Sequence, residues 1–268
     1  MTPLSAVATI ELISPQKAKE YLLNANPTNR PLAASRVHKM ALDMAGGRWH
    51  FTGQTISFDL KHRLVDGHHR LNAIVKSGCT IPCLVVNGIH ADAVKRVDTG
   101  ASRTTADVAH MHHVQNANCA AAVTRLLLIH KKHGIPRVSN AFAQPTHAEI
   151  VDDLLERPDL AYSIKAGNLA RKFVTPTVAS FCHYLFVHQD AKMADKFWSL
   201  LCGDGSLLEP GNPALALRNK LTENKISSRK FSSQELIGFF FRAWIHFKNG
   251  TKLRFIRAMR NTDPFPEI

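Results

Sequence analysis

Asp66, Gly67, His68, His69 and Arg70 stand side by side in this sequence, with Leu64 and Val65 before them and Leu71, Ala73, Ile74 and Val75 after. These residue types together suit the handling of phosphate. Glycine lets backbone approach a ligand closely. Arginine offers a planar fork to phosphate oxygens. A histidine near its neutral pKa donates to a phosphate or shuttles a proton. Asp66 can hold a magnesium ion through oxygen or orient His68. Two plainer readings compete. Asp66 can cap the following helix, and Asp-Gly followed by two histidines can be an ordinary solvated turn.

The flanking residues say what must position this group. Leu64 and Val65 read as the end of a strand. Leu71, Ala73, Ile74 and Val75 read as the buried side of a helix beginning near Arg70 and stopping at Gly78. A strand that turns at glycine into a helix leaves backbone N–H groups free at the helix start, where the dipole is positive. That makes a phosphate cradle.

The surrounding segments supply a small mixed domain. Residues 10–13 read as a strand, and Ser14-Pro15 as the start of a helix. Residues 26–31 read as a loop. Ser35 is placed to cap a helix carrying Val37, Met40, Ala41 and Met44, which Gly46-Gly47 ends. Residues 55–58 alternate as a strand, and 59–63 form a turn. Residues 81–86 are nearly all apolar, as an interior strand requires. Residues 91–97 read as a short helix before Asp98-Thr99-Gly100.

After Arg103 the pattern becomes helical. Thr104 or Thr105 can cap a helix over 106–113. Residues 118–133 follow, with Ala122, Leu126 and Ile129 on one face, and Gly134-Ile135-Pro136 as a break. Thr146 and Glu149 form a capping box for a helix with Ile150, Leu154 and Leu155 inward. Further helices are expected over 160–172, 176–188, 190–201, 213–222 and 232–249. Residues 264–268 form an extended tail able to dock back on the protein. The expected architecture is α+β: an N-terminal α/β domain over 1–105 and an all-helical C-terminal domain over 106–268.

Composition bounds the partners. The 268 residues carry a formal net charge of +13 with fifteen histidines besides, a balance that favours a polyanion, nucleic acid first. Two basic stretches, 225–230 and 248–260, suit a phosphate-contacting face or a solvated helix face. Trp244 and Phe247 beside them read as core. The five cysteines are sparse, and Cys79 and Cys83 have no second close pair to complete a zinc site. His110, His112 and His113 likewise lack a completing cysteine or acid. No apolar run reaches membrane-spanning length, and no secretory signal is evident, so a cytoplasmic protein without a membrane partner is expected.

The order of these segments, with Asp66-Gly67-His68-His69-Arg70 at its centre, resembles the ParB/sulfiredoxin superfamily, and within it the phage and mobile-element branch with a DGQHR-type signature. His68 stands where that branch usually has Gln. Arg36 and Lys39 on the preceding helix, Asp98-Thr99-Gly100, Arg103-Thr104 and a helical C-terminal region extend the likeness. The resemblance implies that Gly67 and Arg70 are the shared phosphate-binding pair. It puts His69 in place of the sulfiredoxin histidine and His68 in place of its catalytic cysteine. It also implies that Arg36 is a basic nucleotide-binding position. With histidine at 68, reduction of a sulfinic acid through a cysteine nucleophile has no support. The ParB pattern departs as well, because glutamate is absent after Gly67.

Three functions follow as expectations. The first is a nucleotide-binding protein acting on or regulating DNA, with ATP or CTP as ligand and Mg2+ at Asp66, and with His68, His69 and Asp66 as catalytic residues if the nucleotide is hydrolysed. The second is a metal-dependent DNA nuclease at the same turn, recruiting Asp59 or Asp98 as second acid. The third is a non-enzymatic regulator whose basic helical half binds DNA or a protein.

Overall fold

The computed structural model describes residues 6–24, 31–90, 104–135, 140–228, 230–259 and 263–268. The fold is mixed α+β and divides into two compact units, residues 1–103 and 104–268. The sequence segments 26–30 and 91–103, with the expected helix over 91–97, Asp98-Thr99-Gly100 and Arg103, lie outside the described residues, as does Pro136.

The first unit contains strands β1 (Val7–Ile13), β2 (Thr55–Asp59), β3 (Leu64–Asp66) and β4 (Ile81–Ile89) and helices α1 (Pro15–Leu23), α2 (Ala34–Ala45) and α3 (His68–Ser77). The sheet order is β1-β4-β2-β3. β4 runs antiparallel to β1 and parallel to β2, and β2 and β3 form an antiparallel pair. The apolar run at 81–86 is thus flanked on both edges, as its composition requires. Alternate residues Ile13, Ile56, Phe58, Cys83 and Val85 meet Ala18, Val37, Ala41, Met44, Leu71 and Ile74 from the helices in one buried core. The opposite face of β1 stays open, with Ile10 and Leu12 exposed.

Two local expectations are corrected here. Ser35 does not cap α2, which starts two residues earlier than that cap would place it, with Ala33 at the N-cap and no side-chain cap. A tertiary contact replaces the local one, as described below. α3 starts at His68 rather than near Arg70, because Gly67 takes a left-handed φ of 102° and reverses the chain at once.

The second unit is helical among its described residues: α4 (Thr105–Met111), α5 (Ala117–His133), α6 (His147–Leu155), α7 (Leu160–Leu169), α8 (Pro176–Gln189), α9 (Ala191–Cys202), α10 (Pro213–Ile226) and α11 (Ser233–Lys248). Capping boxes start α4, α6 and α11, at Thr104–Asp107, Thr146–Glu149 and Ser232–Glu235. α5 is not one-sided. Ala120, Ala121, Val123, Thr124 and 126–129 are all buried, so it runs through the unit rather than lying on it. Leu155, at the last turn of α6, is exposed rather than inward. The expected helix over 160–172 ends at Leu169 and closes with a 3-10 turn over Ala170–Lys172.

Aromatic rings fill this core. Trp244 is fully buried, stacked on Phe186 at 4.4 Å and edge-on to Phe197 at 5.8 Å. The C-terminal tail docks, with Phe265 edge-on to Phe241 at 5.9 Å and Ile268 packed on the same core.

One polar cluster sits inside it. His183 on α8 has no exposed surface; its Nδ1 meets Ser163 Oγ on α7 at 3.0 Å, and its Nε2 lies 3.8 Å from Asp195 on α9. Burial pushes its pKa down to about 4, partly offset by Asp195. The unfolded chain therefore takes up this proton at a higher pH than the folded one. The stability held by neutral His183 is complete above the ordinary value of 6.5 and is lost as pH falls towards 4. Between pH 6.5 and 5 the loss is about 1.5 kcal/mol, approaching 1.36 kcal/mol per pH unit once the unfolded histidine is fully protonated. Urea unfolding at both pH values should show this drop in the wild type and a visibly smaller one in His183→Gln. Equal drops in both proteins would remove His183 as the cause.

Candidate functional site

The β2–β3 hairpin fixes the approach to the motif. Asp59 is buried at its turn. Its Oδ1 accepts from the N–H groups of Lys61 and Arg63 at 2.8 and 2.9 Å, and its Oδ2 from Arg63 Nε at 2.8 Å. Burial alone would raise this carboxyl, but the bonds from Arg63 and Lys61 and the Arg63 charge hold it below the ordinary carboxylate value. Asp59 is thus committed to the turn and cannot also serve as a second acid at the motif.

β3 ends at Asp66, opposite Ser57 of β2. Gly67 follows under two constraints. Its φ is one that side chains avoid, and a Cβ there would meet Ile56 Cγ1 at 3.0 Å and Ile56 Cα at 3.2 Å. The close approach to β2 and the immediate start of α3 both depend on glycine. The first intrahelical bond of α3 runs from Leu71 N–H to Gly67 O at 2.9 Å. The N–H groups of His68, His69 and Arg70 therefore stand at a helix start, where no carbonyl of the helix can reach them.

The three side chains that follow go to different places. His68 is half-buried, and its Nδ1 lies in the interior without a hydrogen-bond partner. His69 turns to α2: its Nε2 accepts the N–H of Ala33 at 3.0 Å. Accepting at Nε2 puts the proton of a neutral imidazole on Nδ1. The contact also supplies the cap that α2 lacks locally and ties the starts of α2 and α3 together.

Arg70 is only 8% exposed. Its Nη1 donates to the carbonyls of Thr55 and Gln54 at 2.8 and 3.3 Å, and its Nη2 to Gln54 Oε1 at 2.8 Å. The fork expected to face phosphate is turned inward, binding α3 to the start of β2. Its charge also reaches Cys83, whose thiol is raised by burial and eased down by Arg70.

Asp66 is half-buried, and its carboxylate makes no hydrogen bond or ion pair among the described residues. Arg36 is exposed on the first turn of α2. Among the described residues no group of three or more His, Cys, Asp or Glu side chains is placed to hold a metal, at this turn or near His110, His112 and His113. A cation here would rest on Asp66 and on oxygens brought by a ligand, as magnesium often does with phosphates. Cys79 lies beyond Ser77, at the far end of α3 and roughly 15 Å along its axis from Gly67. Cys83 is buried in β4.

The structure thus brings together Asp66, Gly67, His68 and the starts of α2 and α3, and sets His69 and Arg70 beneath them as supports. Two partners escaped the sequence reading. Gln54 carried a weak signal, as an amide just before a strand and beside Gly53. Ala33 carried none, because its role is a backbone N–H. No family model, curated protein or solved structure matches this chain.

Proposed function

We propose that the chain binds a nucleotide by its phosphates at residues 66–70, as a ParB/sulfiredoxin-like protein of the DGQHR-type branch, and acts on or regulates DNA. The observation that carries the reading is the joining of two helix starts through His69 and the Ala33 N–H. Each start offers N–H groups and a positive dipole end, and a phosphate is the ligand that uses both.

Around that core the roles divide by accessibility. Arg36, exposed on the first turn of α2, supplies the mobile cation that Arg70 does not. His68, with Nδ1 unpartnered, turns or protonates to donate to a phosphate oxygen. Asp66 would repel a bare phosphate, so it is assigned a Mg2+ carried in with ATP or CTP, or a hydroxyl of the ligand. His69 and Arg70 position the others. If the nucleotide is turned over, His68 and Asp66 are the groups with free capacity to move a proton. The nuclease alternative loses Asp59, which the hairpin turn consumes.

Calorimetric titration of the four NTPs with magnesium tests the assignment. Wild type should bind at least one of them, Arg36→Ala and His68→Ala should each weaken binding roughly tenfold, the worth of one charge-assisted hydrogen bond, and phosphate release on the same samples separates binding from turnover. Silence with all four nucleotides would remove the proposal.

A further inference from the structure

We infer that the segment after α11 forms a binding groove for single-stranded nucleic acid, with Phe255 as its stacking platform. The inference deepens the DNA half of the function proposed above and owes nothing to the nucleotide half, since every residue in it belongs to the second unit.

A concave surface of about 460 Å3 is lined by Arg242, His246, Lys252, Arg254, Phe255 and Arg257, among others. The segment is extended and pinned at intervals. Thr251 N–H bonds His246 O at 2.9 Å, Leu253 N–H bonds Gly211 O at 2.8 Å, and Arg242 Nη1 donates to Arg257 O at 3.1 Å. Ile256 is buried and Leu253 packs against the core. The intervening side chains are thereby forced outward: Lys252, Arg254, Phe255 and Arg257 are all exposed.

Phe255 decides what the groove fits. It is 62% exposed although a large aromatic core lies under the same segment, and the Arg257 guanidinium sits 5.6 Å from its ring centre. Among the described residues Lys252, Arg254 and Arg257 meet no carboxylate, while Arg242 is offset by Asp263 at 3.7 Å. Unneutralised cations spaced along an extended backbone suit a chain of phosphates. An exposed ring with an arginine guanidinium beside it suits an unpaired base, which a duplex would keep stacked and out of reach. A membrane surface would ask for a run of apolar side chains on a convex face, and Phe255 stands alone in a concavity.

Fluorescence anisotropy with labelled single-stranded DNA, the matching RNA and the DNA duplex tests this across a salt series. The wild type should bind a single strand more tightly than the duplex, the DNA and RNA arms showing which strand is preferred. Phe255→Ala should weaken single-strand binding roughly tenfold with the salt slope kept. Arg254→Ala should lower that slope by about 0.7, one phosphate contact on a single strand. Both side chains are exposed, so both variants should unfold like the wild type. Three results overturn the inference: no binding of any strand, duplex bound as tightly as single strand with Phe255→Ala unaffected, or binding to anionic vesicles alone. Nucleotide titration of the same variants should match wild type, so a failure of the turn at residues 66–70 and a failure of this groove are read separately.

Discussion

Gly167→Val should cost the helical unit about 4 kcal/mol, from overpacking together with the buried hydrogen bonds it displaces. A Cβ on Gly167 would lie 2.0 Å from Ser180 Oγ and 2.8 Å from both Pro176 O and Ser180 N. Two of those atoms are backbone, so no rotamer change makes room, and α7 must move off α8. The displacement reaches further. Ser163, one turn before Gly167, holds His183 Nδ1 at 3.0 Å, and Ala166 O accepts Trp198 Nε1 at 2.9 Å. Both bonds are buried, and breaking either leaves polar atoms without water or partner. For a unit of this size the loss corresponds to a fall in melting temperature of roughly 8–16 °C. Calorimetry should show it. Ser180→Gly in the same chain should recover only a small part, because it removes one of the three clashing atoms. A Gly167→Val protein melting within about 2 °C of wild type would mean that α7 and α8 do not cross at this glycine.

That glycine marks the limit of what the sequence disclosed. The segments themselves were legible because their signals are local. Ser14-Pro15, Thr146 with Glu149, and the apolar run at 81–86 each declare a start or a strand within a few residues, and each element stands where expected. The glycine at 67 was legible for the same reason, lying between a strand pattern and a helix pattern. Gly167 was not, since an isolated glycine inside a helical pattern says nothing about what crosses it. The burial of α5 was read as a single stripe because the contacts that bury Ala120, Ala121, Val123 and Thr124 come from neighbours far along the chain. The candidate site divides likewise. Asp66, Gly67 and His68 could be named from residue type and order, and Arg36 only through the family resemblance. The direction of His69 and Arg70 could not, because a backbone N–H at residue 33 and the carbonyls of residues 54 and 55 carry no side-chain signature.

Arg70→Ala should therefore destabilise the first unit, quite apart from any effect on ligand affinity. The guanidinium is 8% exposed and holds two carbonyls and one amide oxygen at the start of β2, but Gln54 itself is exposed, so water reaches its two oxygens once the guanidinium is gone. Leaving the half-buried Thr55 carbonyl unsatisfied costs about 1–3 kcal/mol and the solvated Gln54 oxygens add little, so a loss of about 2 kcal/mol is expected, against a stability of roughly 5–15 kcal/mol for an ordinary domain. Arg70→Lys should fall between, since one ammonium cannot span acceptors that a planar fork spans. Arg36→Ala, at an exposed position, should stay within about 0.5 kcal/mol of wild type. Urea midpoints for the three variants, set beside their nucleotide titrations, separate the two roles an arginine at this motif can have. A supporting arginine shifts the midpoint, and binding is kept wherever the variant stays folded. An arginine in contact with phosphate loses affinity while the midpoint holds. Arg70→Ala with an unchanged midpoint and abolished binding would return the fork to the ligand, and the inward bonds to Gln54 and Thr55 would then be a resting position that a phosphate displaces.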